Sequence, residues 1–128
     1  LRSKLLSLVF AGVTVLGVRA YAHHSFASTY LEDQRMTIEG DVLQFLYRNP
    51  HSFVHVAVKD DKGNVTRWAV EWGGGGQLGS QGIKHDTLKP GDHVIIVGSP
   101  GRNPEDHRLR MLNITRPSDG WKNGTAFD

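Results

Sequence analysis

Two adjacent histidines, His23 and His24, stand directly after Ala20-Tyr21-Ala22, and a third, His51, follows Asn49-Pro50. Small-x-small is the pattern that a signal peptidase reads, so a cut after Ala22 would make His23 the first residue. A terminal histidine offers its α-amine and a ring nitrogen to one ion. A second imidazole, from His24 or His51, completes a T-shaped set of three nitrogens that suits copper. A cut after Ala20 would instead leave Tyr21-Ala22-His23, with histidine third, and the amine, two amides and imidazole would bind copper or nickel in a plane. Either cut leaves a terminal chelate. The plain alternative is a solvated chain terminus and a hydrogen-bonded turn histidine.

The first of these arrangements resembles the histidine brace of copper oxygenases and copper carriers. His51 precedes a strand and belongs at one rim of the fold, where the segment bearing His23 could reach it. His55 lies four residues further on, about 13 Å away at 3.3 Å per residue, so the two cannot share an ion. The metal set expected from the sequence is therefore His23, His24 and His51, with copper as cofactor.

This chemistry presupposes export. Arg2 and Lys4 give a basic start, and Leu5 to Val18 is apolar, small or hydroxylic throughout. Residues 1–22 read as a cleavable signal peptide, too short and wrongly flanked for a spanning helix of roughly 20 apolar residues. The expected location is the periplasm or outside the cell, with no membrane attachment after cleavage. The whole chain has 15 Lys and Arg against 13 Asp and Glu. Removing Arg2, Lys4 and Arg19 reverses the sign to −1, which gives no electrostatic footprint for nucleic acid. No cysteine is present, so a hydrophobic core must hold the fold without disulfides, and about 100 residues suffice for one domain.

Other chemistries fare worse. Gly74-Gly75-Gly76-Gln77-Leu78-Gly79 matches G-x-G-x-x-G, but the strand before it belongs to a hairpin rather than a βαβ unit, so a flexible connection is the better reading. Asn64-Val65-Thr66, Asn113-Ile114-Thr115 and Asn123-Gly124-Thr125 are glycosylation sequons, relevant only in a host that uses them. Trp68 and Trp72 could stack sugars or bases, yet they share the parity of Val70 and read as core. No nucleophile arrangement or paired carboxylates stand out, so enzyme chemistry independent of metal has no candidate residues.

The elements that must position these groups are strands. Residues 23–35 read as an extended arm, 36–117 as a β-barrel and 118–128 as a loose tail. Met36 to Tyr47 is a long strand in which Gly40 marks a bulge or bend. Val54, Val56 and Val58 alternate on one side, as do Trp68, Val70 and Trp72. Between them, Asp60-Asp61-Lys62-Gly63-Asn64 suits a type I turn with Gly63 left-handed. That turn sets Val56 against Trp68 and Val54 against Val70, with His55 on the opposite face beside Ala69. A glycine-rich stretch with at most one short helix follows, then a Lys89-Pro90-Gly91-Asp92 turn and strands over Val94–Gly98 and Leu109–Thr115. Three strands, a helix and two strands is the order of a five-stranded Greek-key barrel of the OB type, with an open β-sandwich as the alternative.

Four motifs occur in order: Ala22-His23-His24-Ser25-Phe26, Asn49-Pro50-His51-Ser52, Trp68-Ala69-Val70-Glu71 and Leu88-Lys89-Pro90-Gly91-Asp92. In these the chain resembles a family of small exported bacterial proteins, domain of unknown function 6152, over nearly all of the exported part. The resemblance implies export and supplies no mechanism. It singles out His23, His24 and His51 as the positions to test. One departure is the glycine run from Gly73 to Gly82, where relatives carry a better helix former. Two function classes follow: a periplasmic copper-binding protein, or a metal-free accessory module that docks onto another periplasmic protein.

Overall fold

The turn at Asp60 fixes the register of the central hairpin. Asp60 N–H donates to the Asn64 carbonyl and Gly63 N–H to the Asp60 carbonyl, with Gly63 at φ +83°. The Asp60 carboxylate accepts from the Lys62 and Asn64 amides at 2.9 Å. In the computed structural model, which describes residues 26–125, this turn joins β2 (Phe53–Lys59) to β3 (Val65–Glu71). Val56 faces Trp68, Val54 faces Val70 and His55 faces Ala69, the register read from the alternation.

Strand β1 (Met36–Leu46) pairs with β4 (His93–Pro100) through its first half and with β2 through its second. Gly40 sits where it changes partner. A Cβ there would collide with the Ala57 carbonyl oxygen, so glycine permits the bend. The register shift itself falls at Leu43, between Val42 and Gln44. β5 (Arg108–Arg116) runs antiparallel to β4, and three parallel pairs, Ala69–Arg108, Val70–Leu109 and Glu71–Arg110, join it to β3. The strand circuit β1-β2-β3-β5-β4 is thus a closed five-stranded mixed barrel. The fold is all-β and of the OB type, with only short helical pieces. Ile38, Val42, Val54, Val56, Val70, Val94, Ile96, Leu109 and Ile114 fill its interior. Each such side chain contributes roughly 1.5–3 kcal/mol on burial.

Two segments differ from their sequence reading. Where a loose tail is expected after residue 118, β6 (Trp121–Gly124) adds to the outer edge of β5. Arg116 organises that return: its guanidinium donates to both Asp119 carboxylate oxygens and to Asp92 and lies over the Trp121 ring. The Asp119 carboxylate also accepts from the Trp121 amide at 3.1 Å. The arm is likewise not extended throughout its described part. Residues 26–29 form a helical turn, and Tyr30 is fully buried and bridged to Gly101. The Leu31 amide donates to the Pro100 carbonyl and the Arg102 amide to the Thr29 carbonyl. Side-chain burial beneath the β4–β5 loop, invisible in any local period, overrides the extended reading.

Between β3 and β4 the glycine run contains α1 (Gly75–Ser80), with Leu78 buried beneath it and Ile83 and Leu88 buried beyond.

Candidate functional site

His51 occupies the loop from β1 to β2, which Ser52 closes from inside. Ser52 is fully buried. Its hydroxyl donates to the Arg48 carbonyl and accepts from the Arg48 amide, both at 3.1 Å. Its amide donates to the Gly73 carbonyl, and the Trp72 amide donates back to Ser52. These bonds continue the β2–β3 ladder past both strand ends and seat His51 at the rim.

The glycine run is the other wall of this loop. The Gly75 amide donates to the Arg48 carbonyl at 3.0 Å, and the Gly76 amide to Asn49 Oδ1 at 3.3 Å. The Tyr47 hydroxyl donates toward the Gly75 carbonyl at 2.7 Å. A Cβ on Gly74 would meet the Pro50 carbonyl oxygen at 2.6 Å and Asn49 Oδ1 at 2.8 Å. Gly74 and Gly75 are therefore close-approach residues that let α1 pack on the His51 loop. This corrects the reading of the run as a flexible connection.

At the rim, His51 Nδ1 lies 4.0 Å from Glu71 Oε1, where Glu71 is mostly buried and His51 is half exposed. Phe26 packs edge-on against the imidazole, ring centroids 5.6 Å apart. The Arg110 guanidinium lies over the Phe26 ring at 3.8 Å from its centroid, and Arg110 is held by Glu32 at 2.6 Å. Behind Glu71 stands Tyr30, whose hydroxyl is buried without a hydrogen bond of ordinary geometry. Burial first, then the nearby Glu71 carboxylate, pushes its pKa up, so it stays neutral. His51, Glu71 and Phe26 line a cleft of about 340 Å³ that also borders β5 and β6. Its size is at the low end of small-ligand sites.

The structure thus puts His51 at the rim, with Phe26 packed against it. His23 and His24 themselves lie outside the described residues. Among the described residues no group of three or more His, Cys, Asp and Glu is arranged to hold a metal ion. His55 is on the outer face, as its parity requires, and its Nδ1 accepts from Arg67 Nε at 2.9 Å. Burial, then the Arg67 and Arg48 charges, lowers its pKa. Its engaged nitrogen and its separation from His51 along the chain remove it from the site. Trp68 and Trp72 are partly buried against the core, as expected.

Glu71, Phe26 and Arg110 are the site neighbours that sequence reasoning did not assign. The first two fall inside motifs already singled out. Only the parallel β3–β5 pairing, which sets Glu71 beside Arg110, shows why they meet.

Fold and cleft together define a small closed β-barrel of the OB type with a histidine–carboxylate rim. The chain belongs to the family of unknown function DUF6152, whose model matches residues 11–110. A search of curated proteins finds no match.

Proposed function

We propose that this is an exported copper-binding protein that holds one Cu(II) at the barrel rim. The ligands are the α-amine and ring of His23, with His51 as the barrel's contribution and His24 beside it. The observation that carries this reading is the Phe26–His51 contact at 5.6 Å. His23 is three residues before Phe26, and three residues of chain span at most about 10 Å. The histidine pair is thereby tethered within reach of the imidazole that the loop fixes.

Glu71 supports the same reading. It faces Nδ1 of His51, and a carboxylate on one ring nitrogen orients the other toward a metal and raises its basicity. Nitrogen donors place Cu(II) above Zn(II) in affinity. Binding releases protons and weakens as imidazoles protonate, below about pH 6.

The test is copper titration with electron paramagnetic resonance on protein beginning at His23. Stoichiometric binding with a nitrogen-rich spectrum is expected. It should be lost when one residue is added before His23 and weakened in His51→Ala. Tight binding that survives the added residue would move the site elsewhere, and no binding at micromolar copper would end the proposal. An unchanged spectrum in His51→Ala would leave a purely terminal chelate with no part for the barrel.

A further inference from the structure

A second cleft, of about 480 Å³, opens between the segment preceding β1, the middle of β3 and the β4–β5 loop. It shares no lining residue with the His51 cleft. Trp68 and Met36, both partly buried against the core, and Pro100 give it an apolar floor. Arg35, Arg102 and Arg108 also line it, and no carboxylate does. Among the described residues, none of these three guanidinium groups forms an ion pair.

The arginines are nevertheless held. Arg35 Nη1 donates to the Glu32 and Gln34 carbonyls, both at 2.9 Å. Arg102 Nε donates to the Ala27 carbonyl at 2.7 Å. Arg108 lies over the Tyr30 and Phe53 rings at 5.6 and 5.9 Å. Each keeps further N–H donors in a planar fork, the geometry that matches a carboxylate bidentately.

Local backbone strain falls in the same place. His107 is the one non-glycine residue with positive φ among the described residues, at +46°. It lines the cleft and packs edge-on against Trp68, centroids 5.3 Å apart. Such conformations are uncommon for residues other than glycine and cluster at active sites and ligand clamps.

An apolar aromatic floor bordered by held cations that form no ion pair among the described residues matches one ligand class. We propose that this cleft binds a small aromatic carboxylate, its ring against Trp68 and its carboxylate on Arg35 and Arg102. The volume lies within the range of small-molecule sites, and the ring face of the ligand would cover the part of the Trp68 indole that is now exposed.

The experiment is titration of isotope-labelled protein with benzoate and with indole-3-acetate, following the indole N–H resonance of Trp68. Benzamide serves as the uncharged match and inorganic phosphate as the anion without a ring. Both carboxylates should shift Trp68 saturably, and benzamide and phosphate should bind at least about tenfold more weakly, the loss of one charged hydrogen bond or of the ring contact. Arg35→Ala with Arg102→Ala changes exposed side chains only and should weaken benzoate by at least about tenfold. Arg67→Ala, an exposed arginine outside the cleft, should leave binding unchanged. No saturable shift at millimolar carboxylate, benzamide or phosphate binding as tightly as benzoate, or an unaltered double variant would each overturn the proposal.

Discussion

Exchanging glycine for alanine at Gly74 and at Gly76 should move stability in opposite directions, although the two residues are neighbours. Gly74 has φ −69° and ψ 158°, an extended conformation that alanine adopts freely, so the backbone raises no objection. The added methyl group would lie 2.6 Å from the Pro50 carbonyl oxygen and 2.8 Å from Asn49 Oδ1. Both contacts are well inside van der Waals distance, and the carbonyl belongs to a loop whose ends Ser52 ties down. Forcing such an overlap costs about 1–3 kcal/mol. For a domain of this size that is a fall of several degrees in melting temperature, at about 4–8 °C per kcal/mol. Gly76 is inside α1 and meets nothing within 4 Å, so alanine there should gain roughly 0.5–1 kcal/mol from helix propensity and lost unfolded-state freedom. Thermal unfolding followed by far-ultraviolet circular dichroism reads both. A Gly74→Ala variant that melts at or above the parent, or a common shift of the two variants, would refute the close approach of Gly74 to the His51 loop. Because the displaced loop carries His51, the proposed copper site predicts weaker copper binding in Gly74→Ala and no change in Gly76→Ala.

Three further expectations follow from individual contacts. Val56→Asp places a charge at a fully buried position opposite Trp68, and should cost several kcal/mol; a parent-like denaturant midpoint would contradict the hairpin register. His93 lies between Asp41 at 2.8 Å and Glu39 at 2.9 Å, and hydrogen bonds to these carboxylates raise its pKa above 6.5. Its stabilisation is therefore present below its unfolded value and lost as pH rises through the folded one, so the stability difference between parent and His93→Ala should be largest in mild acid. A pH-independent difference would disprove the bridging role. Tyr30→Phe removes a buried hydroxyl that has no hydrogen bond of ordinary geometry among the described residues, and should be neutral or stabilising by up to about 1 kcal/mol; a clear loss in equilibrium unfolding would mean that the hydroxyl does donate to Glu71.

Much of the barrel was readable from period-two alternation and turn chemistry, because in β2 and β3 both signals are local and agree. Val54, Val56 and Val70 find one another through a turn whose geometry the residues Asp60 to Asn64 specify by themselves. Neither β6 nor the packed arm has such a signal. Trp121 is held by an arginine that reaches Asp92 across the sheet, and Tyr30 is buried by a loop about 70 residues away, contacts that no window of sequence contains. The site divides the same way. His51 was legible because Asn49-Pro50 interrupts a strand and leaves a histidine at its restart. Glu71 was not assigned, since its neighbourhood depends on closure between β3 and β5. The glycine run misled because abundant glycine signals mobility when nothing opposes it and close approach when another backbone does, and only the fold distinguishes the two.

The seam between β3 and β5 consists of three residue pairs that join chain positions about 40 apart, and it bears on the order in which the molecule assembles. The hairpins β1–β2–β3 and β4–β5 close short loops, whereas the seam and the β1–β4 pairing both join distant parts of the chain, and a long loop costs entropy before its contacts return any. Glu71 is the last β3 residue of that seam and Arg110 its partner. A chain with its hairpins formed but its cylinder still open would have His51 in place and Glu71 without Arg110 or Phe26 beside it. The rim cleft therefore exists only in the closed barrel, and any excursion that parts β3 from β5 takes the site apart together with the Val70–Leu109 part of the core.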